Sequence, residues 1–244
     1  MAVVLILGAK SDIAIAIADI YAKNGSDQLY LAGRNAHDIE SISKHLKIKY
    51  GTISKAYEFD AEQYDSHEEF YQSLDPKPDI IYCVFGYLGD QFEAQKTWSE
   101  CERIINVNYT GAVSILNIIA NDFERRGSGI IVGISSVAGE RGKMTNYLYG
   151  SAKAGFTAYL SGLRNRLYHL GVHVITVKPG FVDTRMTEGK DLPKPLTGSP
   201  MIVASQIIKA VNKRKNTIYT LKRWRWVMLI IKNIPEFIFK RLKL

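Results

Sequence analysis

Six short apolar runs, VVLIL, QLYLA, KAYEF, DIIYCV, GIIVGI and VHVITV, each give way to a helical or loop-then-helix stretch, and this alternation leaves the chain few architectures. A strand that is apolar at nearly every position must be covered on both faces, and a helix returning between two such strands makes them parallel. Right-handed crossovers then give an α/β fold, a doubly wound parallel sheet with ligands at the carboxyl ends of its strands. With 244 residues, 46% of them hydrophobic, the chain can bury one substantial core. A single domain is expected over residues 1–221, followed by a basic aromatic tail over 222–244.

Cys83 falls in a strand and Cys101 in a helix, which gives no disulfide framework and suits a reducing compartment. His169 and His173 have the i, i+4 spacing of a metal pair. Gly171 and the switch to VHVITV end the helix between them, so no metal is expected. The opening MAVVLILGAK has no basic leader and too short an apolar run for a signal peptide. Nowhere do apolar residues approach the roughly 20 that span a bilayer. A cytoplasmic protein is expected. The most irregular stretch, TEGKDLPKPLTGSP, reads as a loop after a strand end, either a substrate lid or a plain connector.

In LGAKSDIAIAIA a loop follows the first strand and a helix opens at Ser11 or Asp12, both good N-cap residues. Unpaired amides and the positive dipole end there suit a pyrophosphate. Gly8, Lys10, Ser11, Asp12 and Ile13 are the candidates for that contact, with the Asp12 carboxylate pointing away as a cap. The second strand ends in LAGRN, where Arg34 follows Gly33 with no carboxylate beside it. An acid there would bind ribose hydroxyls, whereas an arginine pairs with a 2'-phosphate. Arg34, helped by Lys10, therefore favours NADP (NADPH) over NAD.

Tyr149 and Lys153, four apart in NYLYGSAKAGF, share one face of a helix. A free phenol has a pKa of about 10, and a neighbouring cation lowers it toward the range of a general acid. With 14 tyrosines and 20 lysines such a pair arises by chance, so context carries the weight. GIIVGISSVAG reads as a buried strand ending at Ser135-Ser136, and INVNYTGAV places Asn108 in a helical stretch. Ser136 would hold a carbonyl oxygen.

These residues resemble the short-chain dehydrogenase/reductase family from Val3 to about Met186. The resemblance implies a Rossmann fold, a nicotinamide cofactor and reduction of a ketone. It implies that Ser136 orients the carbonyl, Tyr149 transfers the proton, Lys153 grips the nicotinamide ribose and Asn108 holds a water. Ser135 competes for the serine role, and the thirteen-residue gap to Tyr149 favours Ser136. On the adenine side the resemblance points to Asp60 and Ala61. Near the nicotinamide it points to Pro179, Val182 and Thr184, and to Phe85 and Gly86 after the fourth strand. The family usually carries three glycines in the first loop. Here Gly8 matches the first, and Asp12 and Ala14 replace the others. It also implies a homodimer or homotetramer.

Val84-Phe85-Gly86 replaces the family's usual Asn-Ala-Gly. With AGERGKMTNYLYGS and IPEFIFKRL, it makes the chain similar to the decaprenylphosphoryl-2-keto-ribose reductase subgroup. That similarity implies a 2-keto sugar on a polyprenyl phosphate, a flavin oxidase partner and a role in cell-envelope biosynthesis. A general reductase of a lipophilic ketone, of steroid, retinoid or 3-oxoacyl type, is the alternative. Residues 222–244 contain seven basic residues and one acid, so they hold +6 of the chain's net +8. Mixed with Trp224, Trp226, Phe237 and Phe239, this charge reads as a peripheral element on the inner face of an anionic membrane, or as a helix packed on the domain or a partner. The run VMLII argues against nucleic acid.

Overall fold

The computed structural model describes residues 2–25 and 28–242. β1 (Val3–Leu7) turns into α1 (Asp12–Asn24), and β2 (Gln28–Gly33) into α2 (Ala36–Tyr50). β3 (Ser54–Glu58) is followed by α3 (His67–Gln72). After β4 (Ile80–Cys83) come α4 (Gln91–Ala94), α5 (Trp98–Ile105), a π-helical turn (Asn106–Thr110) and α6 (Gly111–Arg126). β5 (Gly129–Ile134) leads to α7 (Tyr147–Leu167). β6 (Val172–Lys178) leads to the short pair β7 (Phe181–Val182) and β8 (Thr197–Gly198) and then to α8 (Pro200–Asn212). β9 (Thr217–Tyr219), α9 (Arg223–Asn233) and α10 (Glu236–Phe239) follow.

Among the described residues the main sheet has seven strands in the order β3-β2-β1-β4-β5-β6-β9, and every pairing is parallel. Successive connections run outward from β1 in one direction and then from β4 in the other. The crevice of a doubly wound sheet lies above that reversal. The six expected strands are all present. The seventh, β9, was not expected. Its pairing is confined to Thr176–Lys178 of β6, and a three-residue run gives too little periodicity to separate it from loop.

All five residues of β1 are buried, and the reason is two-sided cover. Val4 and Ile6 face the layer holding Ile17 of α1 and Ile207 of α8, while Val3, Leu5 and Leu7 face Ile119 and Phe123 of α6 and Leu160 of α7. The buried positions of α7 include Lys153, Phe156, Leu160, Leu163 and Leu167, spaced three and four apart. Lys153 thus occupies the core-facing stripe of its own helix, which is why its charge is buried. α7 stops at Leu167, a 3-10 turn covers Tyr168–Leu170, and Gly171 takes φ 73° before β6. His169 and His173 therefore sit on different elements, and His173 Nε2 lies 3.2 Å from the Lys215 carbonyl.

α9 and α10 pack back onto the rest of the chain. Trp224 and Met228, one turn apart on α9, are buried against Val137, with Phe181, Leu196, Tyr219 and Leu221 around them. Arg141, in the β5–α7 connection, donates to the carbonyls of Ile231 (2.7 Å) and Ile234 (2.6 Å) and to the Glu236 carboxylate (3.0 Å). Its guanidinium also lies 3.6 Å from the centre of the Phe239 ring. Among the described residues no helix is long and apolar enough to cross a membrane.

Candidate active site

A cavity of about 900 Å³ opens over the carboxyl ends of the strands. It is lined by Ser136, Tyr149 and Lys153 and by every expected cofactor residue: Gly8, Lys10, Ser11, Asp12, Ile13, Arg34, Asp60, Ala61, Phe85, Gly86, Pro179, Val182 and Thr184. Asn108 stands just behind the wall and does not line it.

Ser136 follows β5 in extended conformation, and its hydroxyl accepts from Ala138 N at 3.1 Å. Tyr149 sits in the first turn of α7. Burial pushes its phenol up to about 12, and a hydrogen bond with Ser136 opposes that shift. Lys153 is 3% exposed, donates to the Ile134 carbonyl at 3.1 Å and lies 5.7 Å from the Tyr149 ring centre. Burial pulls its ammonium down to about 8, against a weaker upward pull from Cys83. The expectation of a lowered phenol is corrected. Desolvation dominates the shift, and the Lys153 ammonium is turned toward a strand-end carbonyl rather than hydrogen-bonded to Tyr149.

Ser135, the rival serine, is committed elsewhere. Its hydroxyl donates to the Lys153 carbonyl at 2.9 Å and meets Thr157 Oγ1 at 2.7 Å, so it braces β5 against α7. Asn108 lies in the π-helical turn rather than in regular α-helix, and such turns often mark functional sites. Its Nδ2 donates to the carbonyls of Tyr87 (2.5 Å) and Ile104 (2.8 Å), and its Oδ1 accepts from Tyr87 N at 3.1 Å. Its amide therefore shapes the loop after β4.

The cofactor end fits a dinucleotide. Gly8 takes φ 88°, and a Cβ there would stand 2.6 Å from Phe85 N, so only glycine permits this turn. Ser11 is the N-cap residue of α1, yet its side chain caps nothing, which leaves the first-turn amides open to the cavity. Asp12 does not act as the expected cap. Its carboxylate receives Arg185 N at 2.8 Å and Arg185 Nε at 3.1 Å, and the same guanidinium reaches the Lys10 carbonyl. Arg185 thus covers the charge that would repel a pyrophosphate.

At the adenosine end one carboxylate stands near Arg34, but it is taken by backbone amides and does not line the cavity. Parallel pairing sets Glu58 beside Gly33, and its carboxylate accepts from Asn35 N (2.9 Å) and Ala36 N (2.6 Å). Asp38 takes the charge of Lys10 at 2.5 Å. Arg34 remains exposed on the rim, with no ion pair among the described residues. Asp60 turns its carboxylate to Glu62 N at 3.0 Å, and Thr184 forms a capping box with Thr187. Thr187, Lys190 and Leu192 bring part of the expected lid or connector to the cavity wall. Trp224, Lys143, Asn146 and Arg185 also line it, and sequence reasoning gave none of them a place in the site.

The buried lysine sets a pH dependence. The rate of ketone reduction, followed as kcat/KM, is expected to fall as pH rises through about 8, where Lys153 loses its proton. Lys153→Arg should move that limb upward, because a guanidinium stays charged.

The short chain dehydrogenase family profile matches residues 2–194. An uncharacterized oxidoreductase of Mycobacterium tuberculosis is 33% identical over 242 residues, covering 98% of this chain and 96% of its own. An uncharacterized oxidoreductase of Streptomyces coelicolor is 32% identical over 243 residues, with 98% and 94% covered. Among solved structures, a short-chain dehydrogenase from Sphingobium yanoikuyae in complex with NADPH superposes with a TM-score of 0.83 at 23% identity, covering 97% of each chain. Fold, site geometry and relatives agree that the chain belongs to the short-chain dehydrogenase/reductase family and is an oxidoreductase.

Proposed function

We propose that this protein reduces a ketone with NADPH. The observation that carries the reading is the meeting of the Ser136 hydroxyl and the Tyr149 phenol on the cavity wall, with the Lys153 ammonium buried behind them. A reduced nicotinamide, when bound, supplies hydride to the carbonyl carbon. Tyr149 gives its proton to the carbonyl oxygen, and Ser136 holds that oxygen by a hydrogen bond. Lys153 holds the ribose and favours the phenolate left on Tyr149 once the proton has moved. Gly8 and the first turn of α1 seat the pyrophosphate, and Arg34 pairs with the 2'-phosphate.

The choice of NADPH rests on Arg34, and the NADPH bound to the Sphingobium protein agrees with it. Arg34→Ala is expected to lower the preference for NADPH over NADH by about 10- to 100-fold, the worth of a charge-assisted hydrogen bond. Competition of the two cofactors in steady-state oxidation measures it. An unchanged ratio would mean that Arg34 does not read the phosphate.

The favoured substrate is a 2-keto pentose on a polyprenyl phosphate, made by a flavin oxidase in cell-envelope biosynthesis. The sequence likeness to the keto-sugar reductase subgroup supports it. So does the tail, whose exposed Trp226, Leu229, Ile230 and Phe237 stand among Arg223, Arg225, Lys232 and Lys240. That surface suits peripheral contact with an anionic membrane from the cytoplasmic side. Assembly as a homodimer or homotetramer belongs to the same reading. The alternative, reduction of a neutral lipophilic ketone, draws on Phe181, Met186, Leu192 and Trp224 at the cavity wall. NADPH oxidation against keto-sugar lipids and hydrophobic ketones separates the two, and activity confined to the second group would remove the sugar.

A further inference from the structure

The β5–α7 connection carries one cation, Lys143, that no acid among the described residues neutralises. Lys143 lines the cavity and is half-buried, and among the described residues its ammonium has no hydrogen bond or ion pair. Burial lowers its pKa, with no charged neighbour acting on it. The carboxylates on the same wall have other partners. Asp12 is held by Arg185, Asp60 accepts from Glu62 N, Asp90 caps α4, and Glu100 accepts from Tyr87 Oη and Asp90 N. Burial disfavours this ammonium, and a ligand's negative charge would offset that.

Three residues on, Asn146 is the N-cap residue of α7, but its side chain caps nothing. Its Oδ1 is buried with no hydrogen-bond partner, and the residue lines the same cavity. Gln91 Oε1 instead takes the Leu148 amide at 3.1 Å. An unsatisfied buried acceptor calls for a donor, which a substrate hydroxyl provides. Cation and acceptor stand on the segment that joins Ser136 to Tyr149, away from the α1 and β2 ends where the pyrophosphate and 2'-phosphate are placed.

We infer that Lys143 and Asn146 form a substrate-recognition site for an anionic hydroxyketone, with Lys143 pairing the anion and Asn146 accepting from a hydroxyl. Resting on the reductase reading, this assigns the substrate an anionic group, for which a phosphate ester is the probe, and a sugar-like hydroxyl, and sets it apart from neutral steroid-like ketones.

Calorimetric titration of the NADP-loaded protein with a ketopentose 5-phosphate and with the unphosphorylated ketopentose tests it without turnover. The wild type is expected to bind the phosphate ester about tenfold or more tightly. Lys143→Gln should erase that preference, Lys143→Arg should keep most of it, and neither should change the affinity for NADP. Asn146→Ala should weaken both ketoses alike and leave the preference intact. Equal binding of both ketoses by the wild type, or loss of NADP affinity in Lys143→Gln, would overturn the assignment. A phosphate preference without NADPH oxidation on any ketone would keep Lys143 as the anion site and remove the reductase reading. Oxidation with neutral ketones and no phosphate preference would do the reverse.

Discussion

Tyr149→Phe is expected to lower kcat/KM for ketone reduction by about 10²- to 10⁴-fold, the usual contribution of a positioned general acid. The change removes one oxygen and keeps the ring that Ala94, Cys101 and Ile104 pack against, so the fold should stay intact. The affinity for NADPH should also hold, because Lys153 and the first turn of α1 are untouched. Ser136→Ala should give a smaller loss, and the double variant should lose little more than Tyr149→Phe alone, since both hydroxyls act on one oxygen. Stopped-flow measurement of hydride transfer isolates the chemical step. An unaltered rate in Tyr149→Phe would remove the proton-transfer role, and the cavity would then have to be read as a binding site.

Much of this site was legible because its parts are local in sequence. The strand-turn-helix at Gly8 to Ile13, the strand end at Ser136 and the four-residue spacing of Tyr149 and Lys153 each carry their geometry within one segment. Features that depend on two distant segments were not. Arg185 reaches Asp12 across 173 positions, and Glu58 meets the α2 amides only because β3 pairs with β2. No periodicity in either segment signals such a contact. The sign of the Tyr149 shift was missed for a similar reason. Spacing announces the nearby cation, whereas desolvation depends on how the whole cavity closes around the phenol. The tail shows the same limit: its charge and aromatic content are plain in the sequence, but the contacts of Trp224 lie with Val137, Phe181 and Leu196.

Trp224→Ala is expected to be the most destabilising single change in the tail, costing about 3–5 kcal/mol, as truncation of a buried aromatic does. Trp224 is 2% exposed, its indole donates to the Leu196 carbonyl at 2.9 Å, and its ring lies edge-on to Phe181 at 5.1 Å. A loss of that size lowers Tm by about 6–20 °C in a chain of this length. Because Trp224 also lines the cavity, KM for the ketone should rise in the same variant. Gly180→Ala should act alike from the other side, since a Cβ there would stand 1.9 Å from the indole nitrogen. The opposite face of α9 should behave differently. Trp226 is 65% exposed and Ile230 67%, so Trp226→Ser with Ile230→Ser should change stability by only about 0.5 kcal/mol per site. Under the membrane reading, that double variant should lose co-sedimentation with anionic phospholipid vesicles while keeping its Tm. If the double variant kept wild-type vesicle binding, the exposed face would not be the lipid contact. If Trp224→Ala kept the wild-type Tm, α9 would not be part of the folded domain, and its place at the cavity wall would fall with it.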